Sequence, residues 1–292
     1  MLRPNFQIKH PKGVLKLGPK TCIMGILNTT PDSFSDGGKY IDPLKALDRA
    51  HEMIDQGADI IDIGGESTRP KGPYGEGAQD ISVEEECHRT LPIIQQLAAK
   101  TTLPISIDTT KSEVAKQAIE AGASIVNDIS ALRFDPKMSE IIARYHVPVV
   151  LMHMQGTPKT MQQNPTYADV TEDVLCFFKR QINHALNAGI SHAHIILDPG
   201  FGFGKRFEHN LQLLGQLCAF HTLNCPILVG PSRKQFTGPN EEPSKRVPGT
   251  IAAISQSILL GAHIVRVHDV WETRQATRLL DQTRLSMPPL NP

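Results

Sequence analysis

The sequence has no C-x-x-C pair, and its five cysteines (Cys22, Cys87, Cys176, Cys218, Cys225) are odd in number and scattered. That argues against a disulfide framework or a zinc cage and points to a reducing compartment with inert thiols. No apolar run approaches the ~20 residues of a membrane span. The opening "MLRPNFQIKHPKG" lacks the apolar centre of a signal peptide. A cytoplasmic protein with no membrane partner is expected. Excess charge is missing too: 30 Lys plus Arg balance 30 Asp plus Glu, so no global field draws the chain to nucleic acid. The single Trp271 offers no stacking platform, and no serine sits in a G-x-S-x-G elbow. His192-Ala193-His194 has neither an H-E-x-x-H context nor a Cys partner, so no metal role is expected there. No linker or low-complexity stretch interrupts residues 1–292, which read as one domain with an N-terminal extension over 1–20.

A repeated unit is present instead. "QGADIIDIGGES" (56–67), "AGASIVNDIS" (121–130), "AGISHAHIILDPG" (188–200) and "LGAHIVRVHDV" (260–270) echo one another. Each follows an amphipathic run, places Gly (Gly57, Gly122, Gly189, Gly261) where a helix ends, and continues into β-branched residues. Further strands fit "TCIMGIL" (21–27), "LPISID" (103–108), "VPVVLM" (147–152) and "CPILVG" (225–230), three of them with Pro near the start. Asp42-Pro43 and the capping box Ser82-x-x-Glu85 mark helix starts. Eight βα units in this length predict an α/β fold, a (β/α)8 TIM barrel with a short N-terminal β-hairpin over residues 5–20. A doubly wound open sheet is the alternative.

Barrel sites lie at the C-terminal ends of the strands. All eight predicted ends carry polar side chains: Asn28, Glu66 to Arg69, Asp108, Asn127-Asp128, His153, Asp198, Ser232-Arg233-Lys234, and Arg266 with His268. Helix capping accounts for an Asp128 or Ser130, but caps do not require Arg, Lys or His. One group, Asp108, Asn127, Asp198 and Lys234, matches the edge of an aminopyrimidinone: carboxylates for adjacent ring donors, an amide for a mixed edge, an ammonium for a carbonyl. A catalytic carboxylate pair is the competing reading of Asp108 and Asp198. A second group, Asn28, Arg69, Arg266 and His268, fits a phosphate-bearing ligand, with room for a hard metal on oxygen ligands. "ILDPGFGFGK" (196–205) fails the spacing of a Walker loop. Its glycines instead let backbone approach a flat ring, with Phe203 as an apolar wall, or else form a merely flexible loop.

These blocks resemble the dihydropteroate synthases, a pterin-binding TIM-barrel family. The carriers are "MGILNTTPDSFSDGG" (24–38), "GGESTRP" (64–70), "ISIDTTK" (105–111), "IVNDIS" (125–130), "LMHMQGTPKTMQ" (151–162), "LDPGFGFGK" (197–205), "VGPSRK" (229–234) and "GAHIVRVHDV" (261–270). The resemblance implies transfer of a dihydropterin-methyl group from its diphosphate to 4-aminobenzoate in folate synthesis, with Mg²⁺ and a homodimer. It implies that Asp108, Asn127, Asp198 and Lys234 hold the pterin between Met152 and Phe203. Thr68, Arg69, Arg266 and His268 would contact the pterin diphosphate, with Arg266 also packing on the ring and Asn28 on the metal. Phe34, Pro70 and Ser232 would form the aminobenzoate pocket, and Asp36 would face the reacting methylene. Catalysis would fall to Asp36, Lys234 and Arg69. Thr29, Pro231 and a lengthened loop after Arg69 depart from the pattern. The rival readings are a pterin-binding methyltransferase barrel and a non-catalytic pterin-binding protein.

Overall fold

The computed structural model of the chain describes residues 3–30, 43–68 and 80–286. A hairpin comes first: β1 (Phe6–His10) runs antiparallel to β2 (Gly13–Leu17), with Phe6 opposite Leu17. Strand and helix then alternate. β3 (Cys22–Asn28) precedes α1 (Pro43–Asp55), and β4 (Ile60–Gly64) precedes α2 (Val83–Lys100). β5 (Ile105–Asp108) leads to α3 (Ser112–Glu120), β6 (Ile125–Asp128) to α4 (Met138–Tyr145), and β7 (Val149–Met152) to α5 (Val170–Asn187). β8 (Ile195–Asp198) is followed by α6 (Phe207–Gly215), β9 (Leu228–Val229) by α7 (Val247–Leu259), and β10 (Ile264–Val267) by α8 (Val270–Ser286).

The strands from β3 onward form an 8-stranded parallel sheet in the order β8-β7-β6-β5-β4-β3-β10-β9. A parallel bridge between Leu197 and Ile227 brings its two edges together, with Leu197 N–H donating to Pro226 O at 2.9 Å. The expected barrel and hairpin are both present, and the open-sheet alternative is not.

Local chemistry accounts for the punctuation. Gly57, Gly122, Gly189 and Gly261 all have positive φ (98°, 115°, 88°, 98°), so the predicted left-handed helix ends are in place. Ser82 Oγ accepts from Glu85 N–H, and Asp169 caps α5 through Thr171 and Glu172 N–H.

Period-two alternation splits the buried residues into two shells. One face of the strands packs against the helices, joining Ile23, Ile61, Ile107, Val126 and Leu151 to Met53, Ile94 and Phe178. The other face fills the barrel interior with Met24, Ile60, Ile125, Val150, Ile196, Leu228 and Ile264. Ile8 and Leu17 of the hairpin belong to this inner cluster. The hairpin therefore stoppers the N-terminal end with apolar side chains, and inward polar groups are left to the opposite end.

Candidate active site at the C-terminal mouth

Two residues beyond several interior apolar side chains, the same face turns polar: Ile60 is followed by Asp62, Ile125 by Asn127, Ile196 by Asp198 and Ile264 by Arg266, while Val150 is followed by apolar Met152. Register completes the ring: Asn28 lies opposite Gly64, Gly64 opposite Asp108, Asp108 opposite Asn127, and Met152 opposite Asp198.

Arg266 links the two groups of polar strand ends directly. Its Nε donates to Asp62 Oδ2 at 2.6 Å and its Nη2 to Asp108 Oδ2 at 2.6 Å. The arginine of the expected phosphate group is thus bound to a carboxylate of the expected ring reader. Asn127 Nδ2 also donates to Asp62 Oδ2, at 3.2 Å. Asp62 is not among the predicted strand ends, because it lies in the middle of β4. Its signal was a carboxylate inside "IIDIG", a run otherwise fully apolar; a buried acid of this kind demands partners. It is 0% exposed, and its Oδ1 has no hydrogen-bond partner among the described residues. An unsatisfied carboxylate oxygen is costly and marks a place where function rather than packing sets the residue.

Burial pushes Asp108 up to about 7; Arg266 opposes the rise and the Asp62 charge adds to it. Asp198 is raised by burial against the pull of Lys234, and its Oδ1 accepts from Gly200 N–H at 2.8 Å. Burial lowers Lys234 to about 8, with Asp198 opposing. Burial pulls Arg266 down, but Asp62 and Asp108 outweigh it and hold it above its usual range. The mouth therefore concentrates carboxylates and cations that hold one another's charge, with backbone groups of the glycine loop assisting at Asp198 and Lys234.

The glycine loop is a fixed wall, not a flexible connection. Gly200, Gly202 and Gly204 have φ of 69°, 78° and 61°. A Cβ on Gly200 would lie 2.0 Å from His153 O, and one on Gly204 would lie 2.7 Å from Gln155 O. Phe203 packs with Ile129, Met152, Met154 and Met161, so Met152 and Phe203 do share one apolar cluster. Lys234 Nζ lies 4.4 Å from the Phe203 ring centroid and donates to Phe201 O.

Ser232 Oγ lies 2.9 Å from His268 Nδ1 and accepts from His268 N–H at 3.1 Å. The hydroxyl expected at the aminobenzoate carboxylate is thus joined to the histidine expected at the diphosphate. Arg233 occupies a positive-φ turn (56°), with its guanidinium on Asp269 and its N–H on Thr250 Oγ1.

Other members of the predicted ring are spent structurally. Asp128 accepts from Ser130 and Leu132 N–H at 2.8 and 2.7 Å. Glu66 pairs with Lys111 at 2.7 Å, and Lys111 with buried Glu86 at 2.6 Å. His192 and His194 fall in a short 3-10 turn before β8, at the far end of the strand from the mouth. Thr68 is half-buried beyond β4. Phe34, Asp36, Arg69 and Pro70 lie outside the described residues. Thr29, where the family pattern differs, donates its hydroxyl to Gly64 O at 3.1 Å.

A family model described as "Pterin binding enzyme" matches residues 24–268. The chain is 48% identical to the dihydropteroate synthase of Synechocystis sp. over 267 residues, 90% of each chain. It is 48% identical to that of Escherichia coli K12 over 263 residues, covering 89% of this chain and 91% of the relative. A solved structure of Yersinia pestis dihydropteroate synthase with a sulfonamide drug complex is similar at a TM-score of 0.89 and 42% identity, covering 97% of this chain and 100% of that one. Xanthomonas albilineans dihydropteroate synthase with 4-aminobenzoic acid gives a TM-score of 0.88 at 40% identity, covering 98% and 100%.

Proposed function

The chain belongs to the dihydropteroate synthase family, and from that premise we propose how its barrel mouth divides the work. As a transferase of folate biosynthesis, it condenses 7,8-dihydropterin-6-ylmethyl diphosphate with 4-aminobenzoate to give 7,8-dihydropteroate and diphosphate. A C–O bond to the exocyclic methylene breaks, a C–N bond forms, and the arylamine gives up a proton.

The observation that carries the site assignment is the inward row Asp108, Asn127, Asp198 and Lys234, set beside Met152 and Phe203 and tied to Arg266. In this reading the carboxylates of Asp108 and Asp198 accept from the pterin's amino group and ring N–H. Asn127 meets its mixed edge, Lys234 its carbonyl, and Met152 and Phe203 its faces. Arg266, His268, Thr68 and Arg69 take the diphosphate. Ser232, with Phe34 and Pro70, receives the aminobenzoate.

Among the described residues no three His, Cys, Asp or Glu side chains are grouped to hold a metal ion. Asn28, at the end of β3, offers one hard oxygen, a donor set that suits a Mg²⁺ held mainly by the diphosphate oxygens and water. When bound, Mg²⁺ would neutralise charge developing on the leaving diphosphate.

The para carboxylate makes the arylamine a weak nucleophile, so C–O cleavage runs ahead of C–N formation. Asp36 and the ring ligands then stabilise positive charge spread from the methylene into the pterin. A cytoplasmic homodimer is part of the same reading, and sedimentation of the purified protein checks the dimer.

The direct test incubates purified protein with the pterin diphosphate, 4-aminobenzoate and Mg²⁺. Dihydropteroate and diphosphate should form in equal amounts. Tight pterin binding without product would instead favour a non-catalytic pterin-binding protein.

A further inference from the structure

None of the roles above accounts for Lys205. It is only 4% exposed, and its ammonium lies behind the glycine loop. Nζ reaches Gly200 O at 2.9 Å, Phe203 O at 3.0 Å, His153 O at 3.3 Å and His153 Nδ1 at 2.9 Å. The remaining carbonyls of the loop are taken as well. Lys234 holds Phe201 O, Gln162 Nε2 donates to Gly202 O at 2.7 Å, and the Tyr167 hydroxyl donates to Gly204 O at 2.6 Å. Five successive carbonyls, 200 to 204, are therefore each fixed by a side chain, two of them by Lys205.

A buried ammonium is expensive where an apolar chain of the same length would fill the space. Its desolvation lowers the Lys205 pKa well below the usual lysine range, with the Asp198 charge acting against that fall. The same contact, with burial foremost, keeps His153 well below its ordinary value. Packing alone gives no reason for such a group. Geometry gives one: an ammonium has donors on several sides and can gather carbonyls from two chain segments at one point. Here those segments are the end of β7 and the loop after β8. Both border the ring subsite, because Met152 precedes His153 and Asp198 precedes the loop.

We propose that Lys205 is a positioning residue for pterin recognition, locking the 200–204 loop to His153 so that Phe203 and the Gly200–Asp198 contact are preset for the ring. The inference rests on the pterin assignment of that subsite. Preset geometry of this kind appears in affinity, because a loop released from its clamp must be reordered each time the ligand binds.

The test is calorimetric binding of the pterin alcohol, which lacks the diphosphate, to wild type and Lys205→Met, together with steady-state kinetics and a thermal melt. For folded Lys205→Met, affinity should fall tenfold or more. KM for the pterin diphosphate should rise in parallel, while kcat and the KM for 4-aminobenzoate stay within threefold. A purely structural role would lower the melting temperature and the active fraction and leave both KM values unchanged; that result overturns the inference. If Lys205→Met does not fold, the double variant Gln162→Ala, Tyr167→Phe decides, since it frees two carbonyls of the same loop. A threefold or greater loss of pterin affinity supports the clamp, and unchanged affinity overturns it. Wild type that fails to bind the pterin removes the site assignment and this inference together. Wild type that binds while folded Lys205→Met binds equally removes this inference alone.

Discussion

Replacing Asp62 by Asn removes a charge from the Arg266 fork while keeping an oxygen for its Nε. Asp108 and Asp62 accept from one guanidinium. Their charges lie roughly 5 Å apart, and at an effective dielectric of ~20 they repel by about 3 kcal/mol, or about two pH units. Burial, assisted by Asp62, holds Asp108 near 7, well above the ordinary aspartate range. The folded value lies above the unfolded one. Asp108 therefore contributes stability that is full below the unfolded value and is lost as pH rises through about 7. Pterin binding has the opposite sign, because ring donors require the ionised carboxylate. Affinity should rise with pH through about 7, forming the acid limb of the profile. In Asp62→Asn the midpoint should move down by at least about one unit, with Arg266 now concentrated on Asp108. Calorimetric titration with the pterin alcohol between pH ~5 and ~9 reads it, and comparing the two proteins cancels the ligand's own ionisation. A midpoint unchanged or raised in Asp62→Asn would refute the shared-charge account of the fork.

Lys234, held near 8 by burial, should set an alkaline limb: pterin affinity falls above about 8, and Lys234→Met binds more weakly but without that limb. Persistence of the limb in Lys234→Met assigns it elsewhere. Asp198→Asn turns an amide NH₂ toward the ring donors and should cost about 1–3 kcal/mol in pterin binding. Normal binding with only the chemical step slowed would return Asp198 to an acid–base role. Gly200→Ala drives a Cβ into His153 O and should lose about 2–4 kcal/mol of stability, whereas Gly215→Ala, with nothing within 4 Å, should gain about 0.4–1 kcal/mol. Equal melting temperatures for the two would contradict the fixed-wall description. A sulfonamide should compete with 4-aminobenzoate, and inhibition independent of aminobenzoate concentration counts against a shared pocket at Ser232.

The barrel was legible because its joints are local. Gly57, Gly122, Gly189 and Gly261 end helices through backbone geometry that needs nothing distant, and the apolar runs after them are long enough to be buried on both faces. The ring of polar strand ends was legible for the same reason. Its internal wiring was not. Arg266 and Asp108 are 158 residues apart in sequence, and only closure of the barrel brings β10 and β5 to face each other across it. Asp62 needed the same closure to acquire meaning, although its place in an apolar strand was visible. Glu66 and Asp128 show the converse: both are strand-end carboxylates, yet one is taken by Lys111 and the other by its own turn. A sequence places a carboxylate at a strand end, but the partners that consume it come from other elements.

The fork at Arg266 also gives the two halves of one substrate a reason to bind together. Asp108 holds Arg266 Nη2 through Oδ2 alone, so a pterin that donates to that oxygen would compete with the arginine. The ring replaces one donor by another at the carboxylate and leaves Arg266 tethered through Nε to Asp62. The guanidinium is then only half neutralised and lies at the mouth beside His268, where the diphosphate would be held. Anion binding would draw Arg266 the same way, because negative charge beside the guanidinium weakens its hold on Asp108. Linkage makes the effect mutual: whatever free energy the ring gives the anion, the anion gives the ring. Asp62 sets the limit of this motion. Without its carboxylate, Arg266 would collapse fully onto Asp108 and each half of the substrate would meet a stronger competitor. With it, the arginine is shared between two acids and neither holds it completely.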